Sequence, residues 1–364
     1  MDKLNLSQLK NGKKDLKKVN RRSKTLELKE VTMKEEFGFP LQNLYPSLED
    51  HVDPPVFEVG DPGMKAYLQN HGYVVVANIA NEEQIRLGKE LFWDFLNEHA
   101  GMKEDDPTTW GNSFYQIGSP STGIISAKGI GQSEFMWHLR LLPNVKEAFS
   151  QIWGANDLLT SFDGANLYRP WHREGCNNYR TRGGWFHVDQ GIEKTGLHCV
   201  QGMVTLYDAT VATGGLCVVP RSHKKHNDLI KQAPKSTTGD FVLVPPNSNL
   251  LEPKKQLVTA PAGSLILWDS RTIHCNSPSL ITPETSVDDM LRMVGYVCMT
   301  PQKLASVRTL QMRSEAFHNN ITTTHWPHYY RPATMAAPNM PTKEISSAKQ
   351  ASLIGLDRLA KLGS

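Results

Sequence analysis

The chain has 364 residues, and its 40 lysines and arginines against 37 aspartates and glutamates give a formal net charge of +3. Residues 1–30 hold ten basic and four acidic residues, a charge of +6, so the other 334 residues carry −3. A content of 39% hydrophobic residues with 27 glycines and 22 prolines excludes collagen-like, coiled-coil and wholly disordered chains. Residues 1–35 are charge-rich with scattered leucines, which predicts a basic, disordered arm.

The sequence favours neither a membrane nor a secreted protein, and although the basic arm could bind nucleic acid or an acidic membrane, a disordered tail is the favoured interpretation. The most apolar run, residues 74–80, is far below the roughly 18 residues of a membrane span, and the Lys-rich start has no apolar signal segment. Five cysteines without a C-x-x-C pair predict neither a disulfide framework nor a thiolate zinc site. The arm has no aromatic residue for base stacking before Phe37. We therefore expect a cytoplasmic monomer whose partner is a small molecule.

The predicted elements begin with helices that support a core over residues 61–153. Helical spacing ends at Gly72, and residues 73–79 follow as a short buried strand. Asn81 is a suitable N-cap for a second helix, and a third is predicted from residue 133 to about residue 153.

The pattern changes over residues 156–302 to seven or eight short apolar runs separated by Gly, Pro, Asn and Asp clusters. Such runs without intervening helices predict a jelly roll or β-sandwich rather than a parallel βαβ sheet. Within them, residues 222–253 are polar and Pro/Lys-rich and are predicted to form a flexible insertion. The expected organisation is one mainly β domain with flanking helices over residues 36–330. A C-terminal extension, 331–364, has one weak helical signal near its end.

The segment Gly183–Gln190 carries the most informative side chains. His187 and Asp189 are two residues apart on a predicted strand, so they project from the same face. They supply two of the three ligands of a 2-His-1-carboxylate site, which leaves three positions on Fe(II) open for a cosubstrate and O₂. For this pair alone, an ordinary histidine beside an aspartate is the more common interpretation. The later sequence favours the metal, because His274 ends a strand pair and can supply the third ligand.

An arginine on the following predicted strand suits a dicarboxylate cosubstrate. The guanidinium of Arg292 can bind a carboxylate through two parallel hydrogen bonds. Arg271 competes for this role, but it would lie on the same strand pair as the metal, so Arg292 is favoured.

The run GGLCVVPRSHK, residues 214–224, lies between the H-x-D pair and His274. With the flanking motifs it resembles the phytanoyl-CoA dioxygenase (PhyH) family over about residues 60–300. That family consists of Fe(II)- and 2-oxoglutarate-dependent oxygenases on a double-stranded β-helix, a cupin-like jelly roll with N-terminal supporting helices. The resemblance therefore implies this fold, with Fe(II) as cofactor and 2-oxoglutarate and O₂ as cosubstrates.

The resemblance assigns roles at matching positions. The iron ligands are His187, Asp189 and His274. Arg292 is implied to bind the far carboxylate of 2-oxoglutarate, assisted by Asn276, which stands where relatives often place a hydroxyl. Lys128 is the nearest candidate for a cosubstrate lysine found in some relatives. Arg292 stands 18 positions after His274, further than usual in the family.

The resemblance also bears on the reaction. Halogenating relatives lack the carboxylate that Asp189 supplies, so halogenation is disfavoured. Hydroxylation, desaturation or oxidative cyclisation at an unactivated C–H bond is implied, with no catalytic side chain beyond the metal centre.

A cationic loop precedes the metal strand and predicts a carboxylate-bearing substrate, either amino-acid-derived or a secondary metabolite. The residues expected to contact it are Arg169, Arg173, Arg182, Trp185 and Tyr115. Solvated arginines and core aromatic residues are the alternative interpretation. An acyl-CoA hydroxylase is a second possible activity, and a zinc hydrolase or a non-catalytic jelly-roll binding protein are candidates from other classes.

Overall fold

The computed structural model describes residues 45–111, 113–233, 239–284, 286, 288–333 and 341–363. Its contacts divide the chain into residues 1–45 and 46–364, and the second unit holds every element below. The basic arm predicted at residues 1–35 lies outside the described residues. None of the described helices combines the length and apolar character that crossing a bilayer requires.

The β structure consists of short strands. They are β1 (Val56–Phe57), β2 (Tyr73–Val76), β3 (Ile124–Ile125), β4 (Leu158–Thr160), β5 (Ala165–Tyr168), β6 (His187–Val188), β7 (Val200–Thr205), β8 (Gly215–Val218), β9 (Val242–Leu243), β10 (Gln256–Leu257), β11 (Leu265–Asp269), β12 (His274–Ser277), β13 (Arg292–Tyr296) and β14 (Met299–Pro301).

The α-helices flank these strands on both sides in the sequence. They are α1 (Pro62–His71), α2 (Glu82–Ala100), α3 (Glu134–Leu141), α4 (Pro143–Trp153), α5 (His226–Gln232), α6 (Val307–His318), α7 (Ala348–Ile354) and α8 (Leu356–Gly363).

Two larger sheets and one strand pair are formed by the described residues. The larger sheet has the order β1-β2-β11-β7-β13-β5-β3, the smaller has the order β10-β8-β12-β6-β9, and β14 pairs with β4. All neighbours are antiparallel except β1 and β2. This arrangement confirms the predicted jelly roll with mainly β structure and flanking helices.

The alternation of side chains along the strands separates the inside of the jelly roll from its outside. Val75 of β2 packs with Val294 of the same sheet and Leu216 of the smaller sheet, so these side chains fill the space between the sheets. Val74 and Val76 point the other way, into the core that the larger sheet shares with helices. The period of two thus gives one face to the interior and the other to the helices.

The third predicted helix, residues 133–153, is divided into α3 and α4. Leu142 between them has φ −57° and ψ 125°, an extended conformation, and Pro143 begins α4. Proline has no N–H and disfavours the helical conformation of the preceding residue, which ends α3. The prediction of one continuous helix was wrong for this reason.

The described residues of the range 222–253 form regular structure, where their composition predicted a flexible insertion. They contain α5 and the edge strand β9, which pairs with β6. Leu229 and Leu251 pack with Phe186 against the outer face of the smaller sheet. Few apolar residues are present, but Val242 and Val244 also join this cluster, which composition alone does not reveal.

The C-terminal helical signal near residues 353–362 corresponds to α7 and α8, which are separated at Gly355 with φ 102°. Arg313 of α6 is buried and donates to the carbonyl oxygens of Ile354 at 3.0 Å and Thr160 at 2.7 Å. The guanidinium thus joins the last helices to β4.

Two stacked phenylalanine rings join α2 to α3, and a substitution there tests how much this packing stabilises the protein. The rings of Phe92 and Phe135 are parallel within 5°, with centroids 4.3 Å apart, and both are fully buried. We expect Phe92→Ala to lower the free energy of unfolding by about 3–5 kcal/mol, because it leaves a cavity in this core. Leu87→Ala, at a 40% exposed position of the same helix, should cost less than about 1 kcal/mol. Urea denaturation measures both, and equal losses would contradict this packing.

Candidate active site

Two neighbouring strands of the smaller sheet position the predicted metal ligands. His187 at the start of β6 lies directly opposite His274 at the start of β12. Asp189 follows β6, and its backbone N–H donates to the carbonyl oxygen of Ser270 at 3.0 Å. The antiparallel register and the i, i+2 spacing therefore place the three side chains on one face.

The three side chains converge at their polar atoms. One ligand atom from each lies within 4.8 Å of the other two. The Asp189 carboxylate is 3.6 Å from Nε2 of His187 through Oδ1 and 3.4 Å from Nε2 of His274 through Oδ2. The structure thus brings together the three residues predicted from the sequence.

Backbone hydrogen bonds orient both imidazoles. Nδ1 of His187 lies 3.2 Å from the carbonyl oxygen of Trp185, and Nδ1 of His274 lies 2.8 Å from that of Thr272. A carbonyl oxygen only accepts, so each Nδ1 carries the proton and donates it. Each Nε2 then presents a lone pair towards Asp189, which is the tautomer that a metal ligand requires.

The electrostatics also suit a divalent cation. Burial, and then the neighbouring His274, lower the pKa of His187, so its ring is neutral at neutral pH. Burial acts to raise the pKa of Asp189, but the histidines outweigh it and hold that pKa well below its usual range. Gln201 also donates to Oδ2 of Asp189 at 3.0 Å. Two imidazoles and one carboxylate are the donor set of non-haem Fe(II) sites.

The ligands open into a cavity of about 260 Å³ between the sheets. Strand β13 contributes Arg292 and Tyr296, and β12 contributes Asn276. Thr324 and His325, from the segment after α6, line it from a third side. The cavity is therefore enclosed by both sheets and by a segment far along the chain.

Arg292 is a buried cation without an acidic partner among the described residues. Its side chain donates to Oδ1 of Asn276 at 3.5 Å and to the sulfur of Met203 at 2.9 Å, and its guanidinium lies 4.9 Å from the ring of Tyr168. Only 3% of the residue is exposed, and no ion pair of the described residues includes it. A buried charge without a counter-ion is costly, so this position favours an anionic ligand.

The competing arginine is already paired. Arg271 donates to Asp269 through Nε at 2.9 Å and Nη2 at 2.6 Å, and it is not among the cavity-lining residues. Lys128 also lies elsewhere: it adopts a positive φ of 56° and lines a separate depression with Glu98 and His99. The turn after β3 directs the chain away from the cavity before Lys128 is reached.

The three loop arginines predicted to contact substrate do not line the cavity. Arg169 is buried and donates to the carbonyl oxygen of Trp110 at 3.1 Å. Arg173 lies 3.6 Å from a carboxylate oxygen of Asp288, and Arg182 is exposed. Packing and local pairing of the loop, which the sequence pattern does not specify, set these directions.

Of the two predicted aromatic residues, one lines the cavity. Tyr115 is 68% exposed and lies outside it. Trp185 lines it and stacks on His187 with centroids 4.8 Å apart, and Phe241 approaches the same ring at 4.5 Å. The sequence did not predict Phe241 as a site residue, because it lies in the segment that was predicted to be a flexible insertion. It also missed Asp163, which no motif marks.

Comparisons with known proteins agree with this fold. The family model described as phytanoyl-CoA dioxygenase (PhyH) matches residues 68–278, more than half of the chain. "Ava biosynthesis cluster protein O" of Aspergillus versicolor is 26% identical over 271 residues, which cover 71% of this chain and 83% of that protein. Ectoine dioxygenase of Stutzerimonas stutzeri (strain A1501) is 23% identical over 263 residues, with 65% and 80% covered.

A solved structure shows the same fold. GlcNAc Inducible Gene 2, GIG2 (DUF1479), from Candida albicans aligns with a TM-score of 0.54 at 13% identity and covers 85% of each chain. The family match contains the H-x-D pair, residues 214–224 and His274, the features that carried the resemblance in the sequence. The chain belongs to the phytanoyl-CoA dioxygenase family and is a 2-oxoglutarate-dependent dioxygenase.

Proposed function

We propose that this enzyme oxidises an unactivated C–H bond of a small secondary-metabolite substrate by hydroxylation, desaturation or cyclisation. One observation carries the proposal: the His187–Asp189–His274 group and the unpaired, buried Arg292 open into the same small cavity. The relative named as a biosynthesis cluster protein supports a role in making a specialised metabolite.

The donor set fits iron, and each residue has a physical role. His187, Asp189 and His274 would hold Fe(II), which when bound supplies the oxidising chemistry with O₂ that no side chain provides. Arg292 would neutralise the far carboxylate of 2-oxoglutarate, and Asn276 holds the guanidinium in position. Burial of these groups excludes bulk water and strengthens each electrostatic contact.

The structure bears on the substrate class as well. A cavity of about 260 Å³ suits a small molecule better than a bulky CoA thioester. Among the described residues that line the cavity, Arg292 is the one arginine or lysine, and the cosubstrate occupies it in this proposal. A carboxylate on the substrate therefore has no cationic partner there, so we do not propose a carboxylate-bearing substrate. A zinc hydrolase or a non-catalytic binding protein leaves the unpaired Arg292 unexplained.

Spectroscopy tests the proposal directly. Addition of Fe(II) and 2-oxoglutarate without O₂ should produce a visible metal-to-ligand charge-transfer band, and Zn(II) in place of Fe(II) should not. His187→Ala should lose the band, whereas His51→Ala, outside the cavity, should keep it. A folded protein that shows no band, or a band that persists in His187→Ala, would contradict the proposed function.

A further inference from the structure

A carboxyl group that the proposed chemistry does not use lies in the same cavity. Asp163 lines it, two residues before the start of β5. Its Oδ1 accepts from the N–H of Gly164 at 2.8 Å, while Arg140 donates to its backbone oxygen at 2.9 Å rather than to the carboxylate. The ion pairs formed by the described residues do not include Asp163. Its carboxylate thus forms no ion pair among the described residues, although the Arg140 guanidinium lies against its backbone.

Asp163 and Arg292 lie at opposite ends of the cavity. Arg292 begins β13 and Tyr296 ends it, and the four-residue spacing puts both on one strand face, about 13 Å apart at roughly 3.3 Å per residue. The backbone N–H of Tyr296 donates to the carbonyl oxygen of Gly164 at 2.9 Å, which places Asp163 beside the Tyr296 end. A cosubstrate held by Arg292 therefore leaves the Asp163 end for the substrate.

With iron and 2-oxoglutarate bound, the charges of the other groups that line the cavity balance one another. A divalent iron (+2) with Asp189 (−1), and 2-oxoglutarate (−2) with Arg292 (+1), sum to zero. Asp163 is the remaining carboxyl group of the lining, and the buried Arg140, which does not line the cavity, is the cation that acts on it. Burial raises the pKa of Asp163 to about 7, and Gly164 and Arg140 only partly oppose this effect. A cationic group beside Asp163 would stabilise the ionised carboxylate.

The walls near the metal ligands are aromatic. Trp185 and Phe241 lie against His187 with ring centroids 4.8 Å and 4.5 Å away, and both line the cavity. Phe241 is 51% exposed although its ring faces this site. An aromatic surface of this kind favours an apolar or planar substrate body, which would cover the exposed ring.

We propose that Asp163 binds an ammonium group of the substrate while Trp185 and Phe241 contact its apolar body. The substrate class is thus an amine with an apolar or aromatic body. This inference rests on the proposed function, which assigns the Arg292 end to 2-oxoglutarate.

Matched small probes test the inference. The full chain, with Zn(II) and 2-oxoglutarate to prevent turnover, is titrated calorimetrically with 2-phenylethylamine, 2-phenylethanol and 3-phenylpropanoate. The amine should bind about tenfold or more tightly than the other two, because only it forms a charge-assisted hydrogen bond with Asp163. Asp163→Asn should remove this preference, Asp163→Glu should retain part of it, and Asp157→Asn, at an exposed position outside the cavity, should leave it unchanged.

Thermal unfolding confirms that each variant is folded before the probes are compared. A wild-type protein that does not prefer the amine, or that prefers the alcohol or the carboxylate, overturns the inference. A preference that survives in folded Asp163→Asn also overturns it. The two proposals fail separately. Absence of the charge-transfer band with Fe(II) contradicts the oxygenase, whereas loss of amine selectivity with the band intact contradicts only the role of Asp163.

Discussion

Replacing Asp189 by alanine should lower 2-oxoglutarate turnover on the order of a thousandfold or more, because the bound metal supplies chemistry that no side chain replaces. Asp189 is the one carboxylate of the ligand group, and it faces both histidines within 3.6 Å. Its removal leaves two imidazoles without a carboxylate, which bind Fe(II) weakly. Succinate release measures turnover, and calorimetric titration with Fe(II) should show metal affinity falling in parallel.

The controls separate metal binding from folding. Asp157→Ala removes an exposed aspartate outside the cavity and should leave turnover and Fe(II) affinity unchanged. Asp189→Glu keeps the charge but moves the carboxylate by one methylene, so partial metal binding with poor turnover is expected. Wild-type metal affinity in folded Asp189→Ala would show that the carboxylate is not a ligand.

Replacing Arg292 by glutamine should raise the KM for 2-oxoglutarate about a hundredfold, because it removes the cation of the proposed ion pair with the cosubstrate and leaves that carboxylate unpaired. The effect should fall mainly on cosubstrate binding, since Arg292 contacts none of the three metal ligands among its described partners, Asn276, Met203 and Tyr168. Initial rates of succinate formation at varied 2-oxoglutarate concentrations give KM and kcat separately.

Two further variants sharpen this test. Arg271→Gln removes the arginine that pairs with Asp269 outside the cavity, and it should leave the KM unchanged. Arg292→Lys keeps the charge but loses the two-pronged geometry, so an intermediate KM is expected. An unchanged KM in folded Arg292→Gln, or a large rise in Arg271→Gln, would assign the cosubstrate to another residue.

Several predictions from the sequence depend only on local chemistry. The i, i+2 spacing of His187 and Asp189 puts them on one face of any strand, whatever surrounds it. Short apolar runs separated by Gly, Pro, Asn and Asp clusters, without intervening helices, predicted the jelly roll. The division at Pro143 was also readable in principle, since proline constrains its predecessor in any context. In that case helical periodicity on both sides concealed the break.

Other features depend on the path of loops and on contacts between distant segments. Arg169 and Arg173 precede the metal strand closely, yet packing in their loop directs them away from the cavity. Phe241 and His325 reach the cavity from segments far from the ligands in sequence. Periodicity and residue spacing do not predict that these residues line the cavity, because their positions result from tertiary packing.

By itself, the amino-acid sequence determined the class of fold, the three residues of the ligand group and the preference for Arg292 over Arg271. These follow from strand periodicity, residue chemistry and motif order, which are local properties. Tertiary structure alone decided which charges face the substrate end of the cavity: the loop arginines are turned away and Asp163 is turned in. The physical reason is that a side chain's direction in a loop is set by the partners that bury it, and those partners come from elsewhere in the chain.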